Sequence, residues 1–175
     1  MTKTIETKKL LSKETKMYTT QDGKTIEILA HHVQSGRKFS GVCVSACLSY
    51  FGVTPNMYTK TQQLGVSSSI IVGRILRRYG WNFRSRKSIV KKPFKGAEYM
   101  NCSWTTMIKA LKKFNKGSKA DPVGTVYYVV MHSKDGGHGL LIGRNGNILC
   151  DTANYHVRKG IRKSVSSVHA ILPKC

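Results

Sequence analysis

The spacing of apolar residues changes along this chain, and each change marks an element. "KTIEILAHHV" alternates apolar and polar positions and predicts a strand. "QSGRKFSG" reads as a loop. From Cys43 the spacing becomes helical: Val44, Cys47, Leu48 and Phe51 fall at i, i+3, i+4 and i+7, and Gly52 ends the stripe. "SSSIIVGRILRRYG" predicts a second helix, serine-capped and closed by Gly80, with Ile71, Ile75, Leu76 and Tyr79 on its buried face. "WNFRSR" is a candidate strand. "SWTTMIKALKKFNKG" predicts a third helix, with Trp104, Met107, Ile108 and Leu111 inward. After "SKADP" the pattern turns to β. "GTVYYVVMH" and "HGLLIG" read as strands, and the Asn-Gly of "RNGN" is a strong hairpin signal that returns the chain into "ILCDTA". "YHVRKG" and "SVHAILP" offer further strands. A helical first half followed by a sheet is an α+β order.

The chain has 175 residues. That is one ordinary domain, long enough to remove roughly 70% of its unfolded surface from water. Residues 1–24 are polar, Lys-rich and without periodicity, and predict a basic N-terminal arm, disordered unless a partner holds it; residues 25–175 form the domain. No run of 18 apolar residues exists, so no membrane span is expected. The first residues lack the apolar core of a secretory signal. Five cysteines, odd in number and irregular in spacing, argue against a disulfide framework and for a reducing compartment such as the cytoplasm.

Charge changes the picture most. Thirty Lys and Arg stand against eight Asp and Glu, a formal net of +22. Such a molecule attracts polyanions. From Arg74 to Lys95 nine basic residues run without an acid, interleaved with aromatics. Arg74, Arg77, Arg78, Arg84, Arg86 and Lys87 are therefore candidates for nucleic-acid contact, with rings available for stacking. The plainer reading of the same run is a solvated basic face.

Candidate chemistry centres on "SGVCVSACLSYFG". Cys43 opens a helix, where unpaired backbone N–H groups and the dipole favour a thiolate. Cys47, one turn in, lies on the apolar stripe and reads as core. A thiol nucleophile needs a base and the base needs an orienting partner. His138 starts a strand directly after "DGG". If the hairpin turns on Asn145-Gly146, the residue opposite His138 is about Ala153, and Asp151 and Tyr155 share its face. A one-residue change in the loop instead sets Asn154 opposite His138. Either Asp151 or Asn154 can fix the imidazole. A zinc site from Cys43, Cys47 and His138 lacks a second cysteine pair. Neither a metal nor a cofactor is expected.

"CVSACLSYFG", the helix-Gly-strand segment "IVGRILRRYGWNFR", and "GTVYYVVMHSKDGGHGLLIGRNGNILCDTA", in this order over roughly residues 30–155, resemble the papain-like cysteine peptidases. The likeness is to the C39-like, double-glycine leader peptidase group attached to bacterial exporters. Val44 stands where that group commonly has glycine, and Gln34 lies further before Cys43 than the group's oxyanion glutamine. The resemblance implies a papain-like α+β fold, with the nucleophile helix packed on a C-terminal antiparallel sheet. It implies a peptidase acting on a polypeptide through a thioester: Cys43 as nucleophile, His138 as acid and base, Asp151 as orienter, and Gln34 with the Cys43 N–H at the oxyanion. A second function stays open. A papain-like domain with catalysis lost or secondary would serve as a basic nucleic-acid-associated or structural protein, for example within a viral particle.

Overall fold

The described elements largely form where the apolar spacing predicts them, and additional pairing comes from the N-terminal stretch; the strand expected at "YHVRKG" and the end of "KTIEILAHHV" lie outside the described residues. The computed structural model describes residues 15–30, 42–53, 69–90, 102–133, 136–154 and 164–174. The strands are β1 (Thr15–Thr19), β2 (Thr25–Leu29), β3 (Trp81–Ser85), β4 (Cys102–Ser103), β5 (Val126–Ser133), β6 (Gly136–Gly143), β7 (Ile148–Cys150) and β8 (Ser164–Pro173). The α-helices are α1 (Cys43–Tyr50), α2 (Ser69–Arg78) and α3 (Trp104–Phe114), with a 3-10 turn at Lys87–Ile89. None of the described helices is long and apolar enough to cross a membrane.

β1 and β2 pair as an antiparallel hairpin. The main sheet runs β3-β8-β5-β6-β7, with β4 also on β8, and its pairings are antiparallel. The architecture is therefore mixed α+β. β3 comes from the helical first half yet closes one edge of the sheet against β8.

Successive side chains on a strand point to opposite faces, so the sheet is covered on both sides. On one face α1, α2 and β2 bury Ala46, Cys47, Leu48, Val72 and Leu76 against Phe83, Tyr128, Leu141 and Ile171. On the other, α3 and the 3-10 turn bury Met107, Leu111 and Ile89 against Tyr127, Val129, Leu140, Ile142 and Val168. Gly73 allows α2 to lie close on the sheet, since a Cβ there would meet the Phe83 ring at 2.6 Å.

Local signals set the ends. Gly52 adopts φ 85° and closes α1, with the Val53 N–H donating to Leu48 O at 3.1 Å. Ser103 caps α3 by accepting from the Thr106 N–H at 3.2 Å. Tyr79 departs from the helical reading: it is 40% exposed, because α2 stops at Arg78 and the chain turns at Gly80.

The arm expected over residues 1–24 is corrected from Thr15 onward. Residues 15–24 are β1 and a tight turn, in which the Thr20 hydroxyl donates to Lys24 O at 2.9 Å. The β1 side chains are mostly exposed, so the strand carries no apolar alternation for a sequence reading to find. Tertiary contacts described below hold it. Residues 1–14 lie outside the described residues.

Candidate active site

Cys43 is the first residue of α1 and is half-buried. Val42 precedes it as N-cap without any side-chain cap bond, and the first helical bond runs from the Ala46 N–H to Val42 O at 2.9 Å. The N–H groups ahead of Ala46 thus have no helix carbonyl to meet. The Leu29 N–H donates to the Ser45 hydroxyl at 3.2 Å and ties this end of α1 to β2.

The β6–β7 hairpin carries the imidazole; β6 begins at Gly136, so His138 is its third residue rather than its first. Gly146 takes φ 83°, and the Gly143 N–H donates to Asn147 O at 2.8 Å, closing the Asn-Gly turn. Leu141 pairs with Cys150, and a bulge follows before Ile142 pairs with Ile148. Extending the first of these pairings puts His138 across from Ala153 and two residues along from Asp151. The two side chains meet: His138 Nε2 lies 2.7 Å from Asp151 Oδ1, and both are buried. Asp151 thus takes the orienting place. Asn154 turns away in a left-handed conformation, φ 47°, and its Oδ1 accepts from Gln21 at 3.4 Å.

With Nε2 committed to Asp151, the other ring nitrogen, Nδ1, remains for the sulfur, and the ring of His138 hydrogen-bonds Cys43. Burial alone would raise the Cys43 pKa. The bond to His138, the charge of that ring and the N–H groups of Gly139 and Val44 outweigh it and bring the thiol below its ordinary value. Burial likewise works against a charged His138, but Asp151 and Cys43 together raise it to about 9. Both shifts favour a thiolate–imidazolium pair at neutral pH. The neighbouring thiols go the other way: burial pushes Cys47 well up and Cys150 to about 12. These two are packing residues.

The hairpin at the start of the domain supplies partners that the sequence gives no sign of. Gln21 grips the backbone of Asp151 twice: its Oε1 accepts from the Asp151 N–H at 2.8 Å and its Nε2 donates to Asp151 O at 2.9 Å. Tyr18 adds a hydroxyl bond to the same carbonyl at 3.3 Å. Gly139 is required beside the sulfur, since a Cβ there would lie 2.6 Å from the Tyr128 hydroxyl.

The remaining candidates separate. Gln34 lies outside the described residues, as does Tyr155. Arg74, Arg77 and Arg78 are exposed on α2, and Arg77 donates to Phe83 O at 3.1 Å. α2 packs on the Phe83 side of β3, whereas Arg84 points to the other side. Arg86 is a structural cation: it forms a two-pronged ion pair with buried Asp121, its Nε 2.8 Å from Oδ2, and lies over the Phe114 ring. Lys87 is exposed on the 3-10 turn. The described members of the basic run are thus divided among α2, β3 and the 3-10 turn; Lys91, Lys92 and Lys95 lie outside the described residues. Among the described residues, no three His, Cys, Asp or Glu side chains converge as a metal site requires.

No family model, curated protein or solved structure matches this chain.

Proposed function

We propose that the protein is a papain-like cysteine hydrolase, cleaving peptide or isopeptide bonds through a thioester. One observation carries the reading: the His138 imidazole is held between the Cys43 sulfur and the Asp151 carboxylate, at the N-terminus of a helix. The order of nucleophile helix, base strand and returning acid, which resembles the C39-like group, supports the same reading.

The steps follow from the geometry. The Cys43 thiolate attacks the carbonyl carbon and a C–S bond forms as the carbonyl π pair moves to oxygen. The Cys43 backbone N–H, free of any helix partner, is placed to donate to that oxyanion; the resemblance assigns the second donor to Gln34. Imidazolium Nδ1–H protonates the leaving nitrogen, the C–N bond breaks and the amine departs. Neutral His138 then takes a proton from water, which attacks the thioester. Collapse expels the thiolate, His138 keeps the proton, and the ion pair is restored. Asp151 holds the ring in one tautomer and stabilises its charge throughout. The four described cysteines are free, and one of them is the proposed nucleophile, which suits a reducing compartment.

Iodoacetamide at a mildly acidic pH of about 6 tests the reading, since only a depressed thiol is then appreciably ionised. Selective alkylation of Cys43, lost in His138→Ala, supports it. Slow and equal labelling of all the cysteines sinks it.

A further inference from the structure

Among the described residues, basic side chains line two grooves away from the thiol. The larger, about 1020 Å³, opens where β5 begins, between β3, the end of β8 and the 119–125 loop; Lys24, Arg84 and Lys119 stand among its lining residues, with the rings of Tyr50 and Trp81. The smaller, about 420 Å³, lies between Ser88 and α3, where Lys109, Lys113 and Phe114 line it. Arg86 joins the two. It pairs with Asp121 in the wall of the first groove, and its guanidinium sits 5.6 Å from the centre of the Phe114 ring in the second.

Compensating acid is scarce here. The described acids are Asp22, Glu27, Asp121 and Asp151. Asp121 is neutralised by Arg86, Asp151 serves His138, and Glu27 accepts from Thr15 on the hairpin. Asp121, neutralised by Arg86, lines the larger groove; Asp22 lies beside it, where the Tyr50 hydroxyl donates to it at 2.6 Å, and Lys24 lies 4.4 Å from the centre of that same ring. Lys109, Lys112, Lys113, Lys116 and Lys119 are all exposed on and just beyond α3. A surface so charged draws anions. Its concave form and half-buried rings suit a flexible chain of phosphates and bases; a membrane surface would call for convex apolar side chains.

We propose that these two grooves form one binding surface for single-stranded nucleic acid, with Arg84, Lys113 and Lys119 on phosphates and Trp81 beside the bases. The surface is separate from the catalytic pair. Val126 lines the larger groove, while Met131 is the β5 partner of His138. Those five steps of strand span about 17 Å. A strand bound in the grooves leaves the Cys43 sulfur open, so the surface tethers the protein to nucleic acid without blocking the thiol.

The test is fluorescence anisotropy with labelled oligothymidylate over a salt series. The groove variant carries Arg84→Gln, Lys113→Gln and Lys119→Gln. A control carries Lys16→Gln, Arg74→Gln and Arg78→Gln, which removes the same charge from other exposed positions. The groove variant is expected to lose about tenfold or more in affinity, and its slope of log K against log salt to fall by about two, near 0.7 for each lost phosphate contact. The control is expected to lose under about twofold. Equal losses in the two variants, or tighter groove-dependent binding to phosphatidylserine vesicles than to the oligonucleotide, overturn the proposal. Cys43→Ala is expected to bind as the unmutated protein does, whatever becomes of the hydrolase reading; loss of binding in that variant would refute the separation of the two sites.

Discussion

The side-chain amide of Gln21 forms a two-bond bridge to the backbone of Asp151, 130 residues away, accepting from its N–H at 2.8 Å and donating to its carbonyl at 2.9 Å. The bridge resembles one rung of a β-ladder, built with a side chain in place of a second strand. Asp151 in turn holds His138. The hairpin that carries Gln21 is therefore linked to the imidazole through Asp151.

Gln21→Ala removes both bonds. It is expected to cost about 1–2 kcal/mol of stability, at roughly 1 kcal/mol per bond. A merely structural role would end there. A positioning role predicts more: as Asp151 loosens, His138 loses support for its charge, and the pH profile of Cys43 alkylation moves towards that of an ordinary thiol. An unmoved profile in a destabilised variant would reject the positioning role.

The coupled pair predicts a pH window for activity. The Cys43 thiolate is populated below the ordinary thiol pKa because its own is lowered, and the His138 imidazolium persists until about pH 9. Rate against pH should be bell-shaped, with its alkaline limb near 9 reporting loss of the imidazolium proton. The raised His138 also links to stability. Its contribution is complete below the ordinary histidine pKa of 6.5 and fades as pH rises through about 9. Asp151→Asn should draw the alkaline limb down towards neutrality, since an amide oxygen can still accept from the ring but no longer offsets its charge. An unchanged limb in that variant would place the observed pKa on another group.

Gly139→Ala sets a Cβ 2.6 Å from the Tyr128 hydroxyl and 2.8 Å from the ring carbon Cε2. Buried Tyr128 has little room to yield, so overpacking of about 1–3 kcal/mol is expected in urea unfolding. The strand shift also moves the Gly139 N–H from the sulfur, so Cys43 alkylation at acid pH should slow. Adding Tyr128→Phe should recover part of the stability, since it removes the nearer atom and leaves the ring edge.

Asp121 is held below the ordinary carboxylate range. Burial opposes this, but the Arg86 ion pair and the Tyr127 hydroxyl, at 2.8 Å, overcome it. Its contribution is present above the ordinary carboxylate pKa and is lost as pH falls through the lowered value. Asp121→Asn leaves Arg86 without its counter-charge and is expected to cost about 3 kcal/mol at neutral pH. The gap between variant and unmutated protein should narrow on acidification. A gap independent of pH would mean that shape, not charge, holds this pair.

Much of the scaffold around the site is legible in local spacing. Val44, Cys47, Leu48 and Phe51 announce α1, and Gly52 its end; Ser103 announces the start of α3. Asn145-Gly146 carries enough turn chemistry to bring His138 and Asp151 to the same end of one hairpin. These signals act over a few residues, and torsional preference with apolar periodicity suffices to read them. The choice between Asp151 and Asn154 was not of this kind. It rests on the bulge after Leu141 and the left-handed turn at Asn154, each of which depends on how β7 sits against β6.

By itself, then, the chain determined its α+β order, its charge, the helix that begins at Cys43 and the turn that carries His138 back towards Asp151. All of these follow from interactions between near neighbours. Only the tertiary structure decided that Gln21 braces Asp151, that Arg86 is bound to Asp121, and that Lys109 and Lys113 of α3 line one groove while Arg84 lines the other. Those outcomes depend on contacts between residues far apart in sequence, whose closure is settled by the packing of the whole core, and no local pattern encodes them.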